Sequence, residues 1–161
     1  MSTPAIENIS NYFNEIEITI FGSKTSVELI KNHPKVVNSK VIDSTNHFFL
    51  KTYTDLGSFD FYFSFRGSAR AKIVKLMVNA KNKYQFNHKK ISDRHQVEKY
   101  TDFINHALET TLNVGNLVSY IEKSNYKKAS RILGINPGAT YGNAKRWYPE
   151  KFAQIALELS N

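Results

Sequence analysis

The sequence contains no cysteine, which excludes a disulfide-bonded scaffold and any metal site that depends on thiolate ligands. Its five histidines show no spacing of the H-E-x-x-H type, so we expect no metal. No apolar run approaches the length of a membrane span. The first residues, MSTPAIENIS, lack the basic stretch followed by an apolar one that is typical of a signal peptide. We therefore expect a cytoplasmic protein.

What the chain does contain is an excess of positive charge. Lys and Arg number 22 against 14 Asp and Glu, which gives a formal net charge of +8. Such an excess favours anionic partners, namely nucleic acid, nucleotides, phosphorylated sugars or an anionic membrane face, without choosing among them. With 161 residues, of which 41 % are hydrophobic, the chain is long enough for a domain of ordinary size with a core.

Apolar spacing divides the chain into alternating helices and strands. The predicted helices cover 4–13, 25–33, 48–57, 68–80, 94–109 and 149–159, and the predicted strands cover 15–22, 35–43, 59–65, 82–87 and 131–138. Ser68 is the predicted N-cap of its helix. This alternation predicts an α/β fold, a Rossmann-like parallel sheet with helices on both faces. Ligands of such sheets bind beyond the carboxyl ends of the strands.

The predicted organisation has three parts. Residues 1–112 form the first Rossmann-like domain, and 113–130 form a connector in which Leu117, Val118 and Ile121 have helical spacing. Residues 131–161 read as the opening strand and helix of a further unit, which either packs onto the first domain or belongs to a second one. One strand and one helix do not bury a core of their own.

The most informative loop is INPGATYGNAKRWYPEKF, residues 135–152, which joins the last predicted strand to the last predicted helix. Gly138 and Gly142 allow a ligand to approach backbone N–H groups, and Lys145 and Arg146 add two charges just before a helix N-terminus. The combination predicts a phosphate or diphosphate site. The spacing fits neither the P-loop nor G-x-G-x-x-G, and a solvated turn with a Lys–Arg pair is an equally good interpretation of composition alone.

The same loop carries a resemblance to a known family. The resembling runs are Pro137-Gly138-Ala139, Tyr141-Gly142 and Ala144-Lys145-Arg146-Trp147. They closely resemble the start of the C-terminal domain of bacterial lipopolysaccharide heptosyltransferases, glycosyltransferase family 9, and within it the heptosyltransferase II group. MSTPAIENI is similar to the helix after the family's first Gly-Asp loop, and FDFYFSFRGSARAKI, more loosely, to a strand and helix of its acceptor domain.

The resemblance implies a two-domain GT-B glycosyltransferase with an acceptor-side domain and a donor-side domain. It would transfer heptose from ADP-L-glycero-D-manno-heptose to a heptose of the inner core, with inversion and without a metal or cofactor. By this match Lys145 pairs with the donor diphosphate, and Thr140 and the backbone of Gly138 and Ala139 assist. The implied partners are ADP-heptose, an acceptor of the heptosyl-Kdo2-lipid A type and the inner face of the inner membrane, with no nucleic acid.

Basic side chains also follow the best strand. Arg66, Ser68 and Arg70 lie at its carboxyl end and are candidate acceptor-binding residues, because Arg pairs well with phosphate. A second basic cluster spans 88–95 and is a candidate surface for the anionic acceptor or the membrane. For both groups, an equally good interpretation is that the basic side chains have no binding role and simply lie in solvent at a helix start or in a loop.

The chain also departs from the family pattern. The family's general-base Asp lies in a loop ahead of the stretch that matches MSTPAIENI, so no residue here is its counterpart and we name no catalytic residue. The first sheet strand and most of the donor domain have no counterpart either. We therefore expect the chain to be a fragment, an incomplete acceptor domain plus the first βα unit of the donor domain, with negligible transferase activity alone.

A different class of function is a non-catalytic basic module that binds nucleic acid or another polyanion. The charge of +8 and interleaved aromatic residues support this alternative, notably Tyr84, Phe86, Tyr126 and Trp147. No pattern of an RNA-recognition motif, a KH domain or a zinc finger is present.

Overall fold

The computed structural model describes residues 1–42, 53, 55–88, 94–120, 133–138 and 146–160. The chain divides into two compact units, Met1–Glu122 and Lys123–Asn161, so their boundary lies within the predicted connector. None of the helices in the described ranges has both the length and the hydrophobicity needed to span a bilayer.

The elements of the first unit follow the predicted alternation of helix and strand. In chain order they are α1 Thr3–Tyr12, β1 Ile18–Gly22, α2 Lys24–Ile30, β2 Val36–Val41, β3 Ser58–Ser64, α3 Ala69–Met77, β4 Asn79–Gln85 and α4 Gln96–Leu108. The second unit contains α5, Pro149–Ser160. Six of the ten residues of the helix predicted over 48–57 lie outside the described residues; of the other four, residue 53 is helical and Gly57 adopts the positive φ of 95° expected of a glycine that ends a helix.

The described strands form two parallel pairs. β1 pairs with β2 from Ile18↔Val36 to Gly22↔Val41, and β3 pairs with β4 from Ser58↔Asn79 to Ser64↔Gln85. Each pair is joined through a helix, α2 or α3, as parallel pairing requires. The predicted α/β class and its parallel strands are confirmed.

Helices cover both faces of the β3–β4 pair. On one face Ile9 of α1 and Phe103 and Ile104 of α4 form a core with Phe86, against which Phe63 packs. On the other face Val74 of α3 forms a second core with Tyr62. Because Tyr62 and Phe63 are adjacent in an extended strand, their side chains point to opposite faces. A strand covered on both faces is typical of a Rossmann-like parallel sheet.

Several predicted boundaries are wrong: β1 begins at Ile18 and not at residue 15, α2 ends at Ile30 and not at residue 33, and the boundary between α3 and β4 is misplaced. The helix predicted over 68–80 ends at Met77, and the strand predicted over 82–87 already begins at Asn79. Only Val78 lies between them, fully buried, with extended backbone. Asn79 pairs with Ser58 in the ladder, and its side-chain amide donates to Ser58 Oγ at 2.8 Å. Sheet pairing therefore overrides the helical spacing of the last three residues.

The connector is also not helical where it is described. Residues 111–120 form no regular element and run along the first unit. Side-chain hydrogen bonds hold this segment: Asn8 Nδ2 donates to Asn113 O at 3.0 Å, and Asn105 Nδ2 donates to Leu112 O at 2.8 Å. The helical spacing of Leu117 and Val118 therefore predicted the wrong conformation.

In the second unit the predicted helix is present, and the described part of the predicted strand is not a strand. α5 covers Pro149–Ser160, whereas 133–138, the described part of the strand predicted over 131–138, is irregular. A strand needs a hydrogen-bonded neighbour, and no described residue of this unit supplies one. Before α5, the Trp147 ring packs edge-on against Phe152, with 5.2 Å between ring centroids.

Candidate functional site at the carboxyl end of β3

The turn after β3 is held by side-chain hydrogen bonds from the last residues of β3 and β4. Ser64 Oγ donates to the Arg66 carbonyl at 3.2 Å, and Gln85 Nε2 donates to the same oxygen at 3.1 Å. The Arg66 backbone is thereby held while its side chain is exposed. This arrangement presents a cation at the sheet edge where ligands of parallel sheets bind.

Gly67 allows the turn to pass close to the end of β4. A Cβ added at Gly67 would lie 3.0 Å from the Phe86 carbonyl oxygen and 3.3 Å from His88 Cδ2. Backbone moves away from such a contact less easily than a flexible side chain, so an alanine here would push the turn or the end of β4 aside. Local sequence does not identify Gly67, because the close contact is with Phe86, directly after β4.

Ser68 caps α3, as predicted. Its Oγ accepts from the Ala71 N–H at 3.3 Å, and its backbone is extended, as an N-cap requires. Ser68 therefore has a structural role at the helix start. Its position beside Arg66 and Arg70 also places the positive end of the α3 dipole at the same edge.

The positive charges at this edge influence the pKa values of two nearby tyrosine hydroxyls. Burial raises the pKa of Tyr53, and the charges of Arg70 and Arg66 partly oppose that rise. Burial likewise raises the pKa of Tyr100, opposed by a hydrogen bond with Gln96 and by the charge of Arg66. Arg66 thus acts on two tyrosines from separate parts of the chain. The edge can stabilise the negatively charged oxygens of a ligand.

A cleft adjoins this edge. It encloses about 970 Å³ and is bordered by β1, β3, α1, α2 and α3, with Arg66, Ser68 and Arg70 at its rim. The structure thus brings the three candidate acceptor-binding residues together beside a cavity of the first unit. Their binding role remains a prediction.

Most of the predicted donor site lies outside the described residues. This applies to Ala139, Thr140 and Lys145. Gly138 is described and exposed, and an added Cβ there would meet only Asn136 Oδ1, at 3.8 Å. The role of these four residues in diphosphate binding therefore stays a prediction.

The basic cluster at 88–95 is partly structural. Arg94 makes ion pairs with Asp102 at 2.8 Å and with Glu98 at 3.2 Å. His95 is the N-cap of α4: its Nδ1 accepts from the Val97 N–H, and Glu98 accepts from the His95 N–H at 2.9 Å. Lys89 and Lys90 lie outside the described residues. In this cluster, Arg94 and His95 therefore stabilise a helix start.

Two of the four aromatic residues that supported a nucleic-acid module pack within the first unit, whereas a third, Trp147, is 49 % exposed. Phe86 is 1 % exposed in the first core, and the Tyr84 ring stacks on Phe63 with 5.4 Å between centroids. Tyr126 lies outside the described residues. Buried rings are unavailable for base stacking, so this support for the alternative is lost for Phe86 and weakened for Tyr84.

Sequence reasoning missed a buried polar cluster around His33. His33 Nε2 lies 3.1 Å from Glu7 Oε1, and its Nδ1 accepts from the Lys35 N–H at 3.0 Å. The Tyr120 hydroxyl also donates to Glu7 Oε1, and its ring packs edge-on against His33. Within the described ranges, no three His, Asp or Glu side chains converge as metal ligands.

These features define the class of the protein: an α/β chain whose first unit is a partial Rossmann-like domain, with parallel strand pairs, helices on both faces and a basic edge beyond β3. The chain is 32 % identical over 169 aligned residues to "Lipooligosaccharide heptosyltransferase 2" of Campylobacter jejuni subsp. jejuni serotype O:2. It is 32 % identical to the protein of the same name from serotype O:6.

These alignments cover 99 % of this chain and 52 % of each relative, so the chain spans about half the length of the curated relatives it matches. No family model and no solved structure matches the sequence. The chain is thus similar over nearly its whole length to two proteins named lipooligosaccharide heptosyltransferase 2, and the resemblance identified from the sequence is confirmed.

Proposed function

We propose that the chain supplies the acceptor side and the beginning of the donor side of a heptosyltransferase of lipopolysaccharide inner-core synthesis. The observation that carries this proposal is the 32 % identity to lipooligosaccharide heptosyltransferase 2 over 99 % of the chain. The reaction is transfer of heptose from ADP-L-glycero-D-manno-heptose to a core heptose with inversion. Neither a metal nor another cofactor takes part.

On the acceptor side, Arg66, Ser68 and Arg70 bind anionic groups of a heptosyl-Kdo2-lipid A type acceptor. Their position at the carboxyl end of β3 and the electrostatic effect of both arginines on Tyr53 support this role. Arg pairs with phosphate through two parallel hydrogen bonds, which fixes orientation as well as affinity. The acceptor is a lipid, so this edge works at the cytoplasmic face of the inner membrane.

On the donor side, Lys145 pairs with the diphosphate of ADP-heptose, assisted by Thr140 and the backbone of Gly138 and Ala139. Negative charge grows on the diphosphate as the bond to the sugar breaks. A fixed cation therefore stabilises the transition state more than the ground state. The beginning of α5 at Pro149 follows this loop and favours an anion there.

Isothermal titration of the chain with ADP-heptose and with a single-stranded oligonucleotide tests this proposal against the nucleic-acid alternative. We expect saturable binding of ADP-heptose with a weak dependence on salt, because few charges are neutralised. We expect the oligonucleotide to bind weakly, with its affinity falling steeply with salt. Tighter binding of the oligonucleotide than of ADP-heptose at 150 mM salt would contradict the heptosyltransferase assignment.

The acceptor role is tested separately with an Arg66→Ala variant. We expect its affinity for detergent-solubilised heptosyl-Kdo2-lipid A to fall roughly tenfold, since a charge-assisted contact contributes about 1.5–3 kcal/mol. Lys75→Ala is the matched control, because Lys75 lies in the last turn of α3, away from the carboxyl end of β3. Equal losses in both variants would indicate only a general charge effect.

A further inference from the structure

Helix α3 exposes apolar side chains on the side that faces away from the sheet. Its buried residues are Ala71 and Val74, and Val74 belongs to the second core. Ile73, by contrast, is 48 % exposed and Leu76 is 79 % exposed. Because residues three apart on a helix are neighbours on its surface, these two side chains form one apolar strip. Single exposed aliphatic residues are common on proteins, so the meaning of the strip depends on the charges around it.

The stretch of chain that contains α3 carries positive charge only. Residues 61–92, which include most of β3 and all of α3 and β4, contain no Asp and no Glu. Their basic residues equal in number the formal net charge of +8, so the rest of the chain is electrically balanced; they are Arg66, Arg70, Lys72, Lys75, Lys81, Lys83, Lys89 and Lys90. Asp60, directly before this stretch, forms an ion pair with Lys81 at 2.7 Å.

Two lysines flank the apolar strip directly. Lys72 is exposed and lies one residue before Ile73 and four before Leu76, so it borders both side chains on the helix surface. Lys83 Nζ donates to the Leu76 carbonyl oxygen at 3.4 Å, which places a second ammonium group at the carboxyl end of the strip. Among the described residues, no carboxylate forms an ion pair with Lys72 or Lys83. Their positive charges are therefore available to an anionic partner.

We propose that this face of α3, formed by Lys72, Ile73, Leu76 and Lys83, docks onto an anionic lipid bilayer. The two aliphatic side chains insert between the lipids, and the two ammonium groups bind headgroup phosphates, as on amphipathic helices that lie in a membrane interface. Lysine is depleted in protein–protein interfaces, and a nucleic-acid backbone offers no apolar medium for Ile and Leu. An anionic bilayer is the partner that complements both the charge and the apolar strip.

The place of this face in the fold suits the proposed function, and this one step rests on that function. α3 has nine residues, a length of about 14 Å, and begins directly after Ser68. A bilayer on its outer side is therefore near Arg66 and Arg70 at the carboxyl end of β3. A lipid-linked acceptor can then reach these arginines without leaving the bilayer.

Co-sedimentation of the chain with lipid vesicles tests the docking itself, without any acceptor. We expect the chain to bind vesicles of an equimolar mixture of phosphatidylglycerol and phosphatidylcholine, and to bind pure phosphatidylcholine at least about tenfold more weakly. Absence of binding to the anionic vesicles, or equal binding to both kinds, overturns the proposal.

Removal of the apolar strip tests which surface is responsible. Ile73→Gln combined with Leu76→Gln should weaken binding to the anionic vesicles roughly tenfold, because the inserted groups are lost while glutamine preserves the helix. Val37→Gln combined with Val41→Gln is the matched control, since these β2 side chains are 61 % and 48 % exposed. The control should bind like the wild type. Equal losses in both double variants overturn the assignment to α3.

Removal of one flanking charge tests the electrostatic part. Lys72→Gln should weaken binding to the anionic vesicles roughly fivefold and make it less sensitive to salt. Lys24→Gln is the matched control, because Lys24 is also exposed on a helix, α2, and its loss should leave binding unchanged. Equal losses in the two variants overturn a specific role of Lys72.

Insertion is measured with an environment-sensitive label, which the absence of cysteine makes straightforward. A Leu76→Cys variant labelled with nitrobenzoxadiazole should show a blue shift of its emission on anionic vesicles. The same label on Val37→Cys, which is 61 % exposed in the wild type, should show none. An unshifted label at position 76, or a shift that appears without vesicles as the protein concentration rises, overturns the proposal, since the second result means that another copy of the chain covers the face.

Bilayer docking and nucleotide-sugar binding are separable in these experiments. Loss of vesicle binding leaves the binding of ADP-heptose unaffected, because the vesicle assay contains no donor. Failure of the chain to bind ADP-heptose, conversely, leaves the docking of α3 to acceptor-free vesicles intact.

Discussion

A single carboxylate oxygen, Glu7 Oε1, joins three distant parts of the first unit. It accepts from the Tyr120 hydroxyl and faces His33 Nε2 at 3.1 Å. Because His33 Nδ1 accepts from the Lys35 N–H, the proton of a neutral His33 lies on Nε2 and is donated to Glu7. α1, the turn after α2 and the end of the described connector are thus tied together through one side chain.

The first prediction concerns Tyr120. Burial, followed by the hydrogen bond to Glu7, raises the pKa of Tyr120 to about 12 from an ordinary 10.0. The stabilisation that this contact provides is therefore complete below pH 10 and is lost as the pH rises through about 12. Tyr120→Phe should lower the free energy of unfolding by about 1 kcal/mol at pH 8. The difference from the wild type should shrink between pH 10 and 12.

Urea denaturation at several pH values measures this effect. Tyr12→Phe is the control, because Tyr12 is 45 % exposed on the same unit, and this variant should differ from the wild type by less than about 0.5 kcal/mol. A Tyr120→Phe variant whose deficit stays constant up to pH 12 would show that the Glu7 contact does not govern the titration of Tyr120.

The second prediction concerns Gly67. In a Gly67→Ala variant, the new methyl group would lie 3.0 Å from the Phe86 carbonyl oxygen, so the β3–α3 turn or the end of β4 must shift. We expect a loss of about 1–3 kcal/mol in the free energy of unfolding, measured by urea denaturation. Gly115→Ala is the matched control, because its methyl group would meet only Pro4 Cβ, at 3.9 Å. Equal stability of the two variants would refute the steric argument.

At the scale of single residues, contacts between residues close in sequence were predictable, and contacts between residues far apart in sequence were not. The Ser68 cap follows from a polar residue directly before a run with helical spacing, which is information within four residues. The Glu7–Tyr120 hydrogen bond joins residues 113 positions apart, and nothing in their local sequence predicts it. The close backbone approach at Gly67 likewise involves a distant residue, Phe86.

Among the described helices, α4 has the N-terminus held by the most side-chain contacts. His95 and Glu98 form a reciprocal cap, and Arg94 pairs with both Glu98 and Asp102. The backbone N–H of His95, and then the Arg94 side chain, hold the pKa of Glu98 below its ordinary value of 4.5. The stabilisation from this cap is therefore present above pH 4.5 and is lost as the pH falls through the lowered pKa.

The third prediction follows from this cap. Glu98→Ala should lower the urea midpoint at pH 7, because it removes the acceptor for the His95 N–H and one ion pair of Arg94. Glu98→Gln should lie between this variant and the wild type, since an amide oxygen still accepts but carries no charge. As the pH falls below 4.5 and through the lowered pKa of Glu98, the gap between wild type and Glu98→Ala should narrow to the gap between Glu98→Gln and Glu98→Ala, which denaturation over this pH range tests. A gap that keeps its pH 7 size throughout would exclude the charge of Glu98 as its cause.

Element types were easier to predict than element boundaries. Alternating apolar residues identified β1, β2 and β3, and helical spacing identified α1 and α4. The end of α3 was placed three residues too late: Val78 to Ala80 fit a helical pattern, but Asn79 and Ala80 pair with Ser58 and Phe59 of β3. Irregular chain at 111–120 was missed for a related reason: side-chain bonds from Asn8 and Asn105 fix its path.

For the whole molecule, the parallel α/β architecture followed from the order of elements, and homology to the heptosyltransferases followed from one loop motif. The separation of the strands into two pairs around a cleft did not follow from the pattern, which predicts strands but not which of them lie side by side. The acceptor-side candidates lie together at one edge, whereas the donor-side loop is established only as a sequence motif.

The fourth prediction concerns activity. The family resemblance provides no counterpart of the general base among these 161 residues, so we expect negligible transfer by the purified chain. A coupled assay of ADP release, with ADP-heptose and a detergent-solubilised acceptor, measures this directly. Turnover near that of an intact heptosyltransferase, run in parallel as the positive control, would refute the expectation.

The central claim is that the basic loop around Lys145 holds the diphosphate of a nucleotide sugar. Trp147 is the single tryptophan of the chain, two residues from Lys145, so its fluorescence reports on this loop. Titration with ADP at low salt should change the fluorescence saturably, and Lys145→Ala should raise Kd roughly tenfold, as loss of one charge-assisted contact requires. Lys75→Ala, which removes the same charge from the last turn of α3 in the first unit, should bind ADP like the wild type. An unchanged Kd for Lys145→Ala, or equal losses in both variants, would contradict the claim.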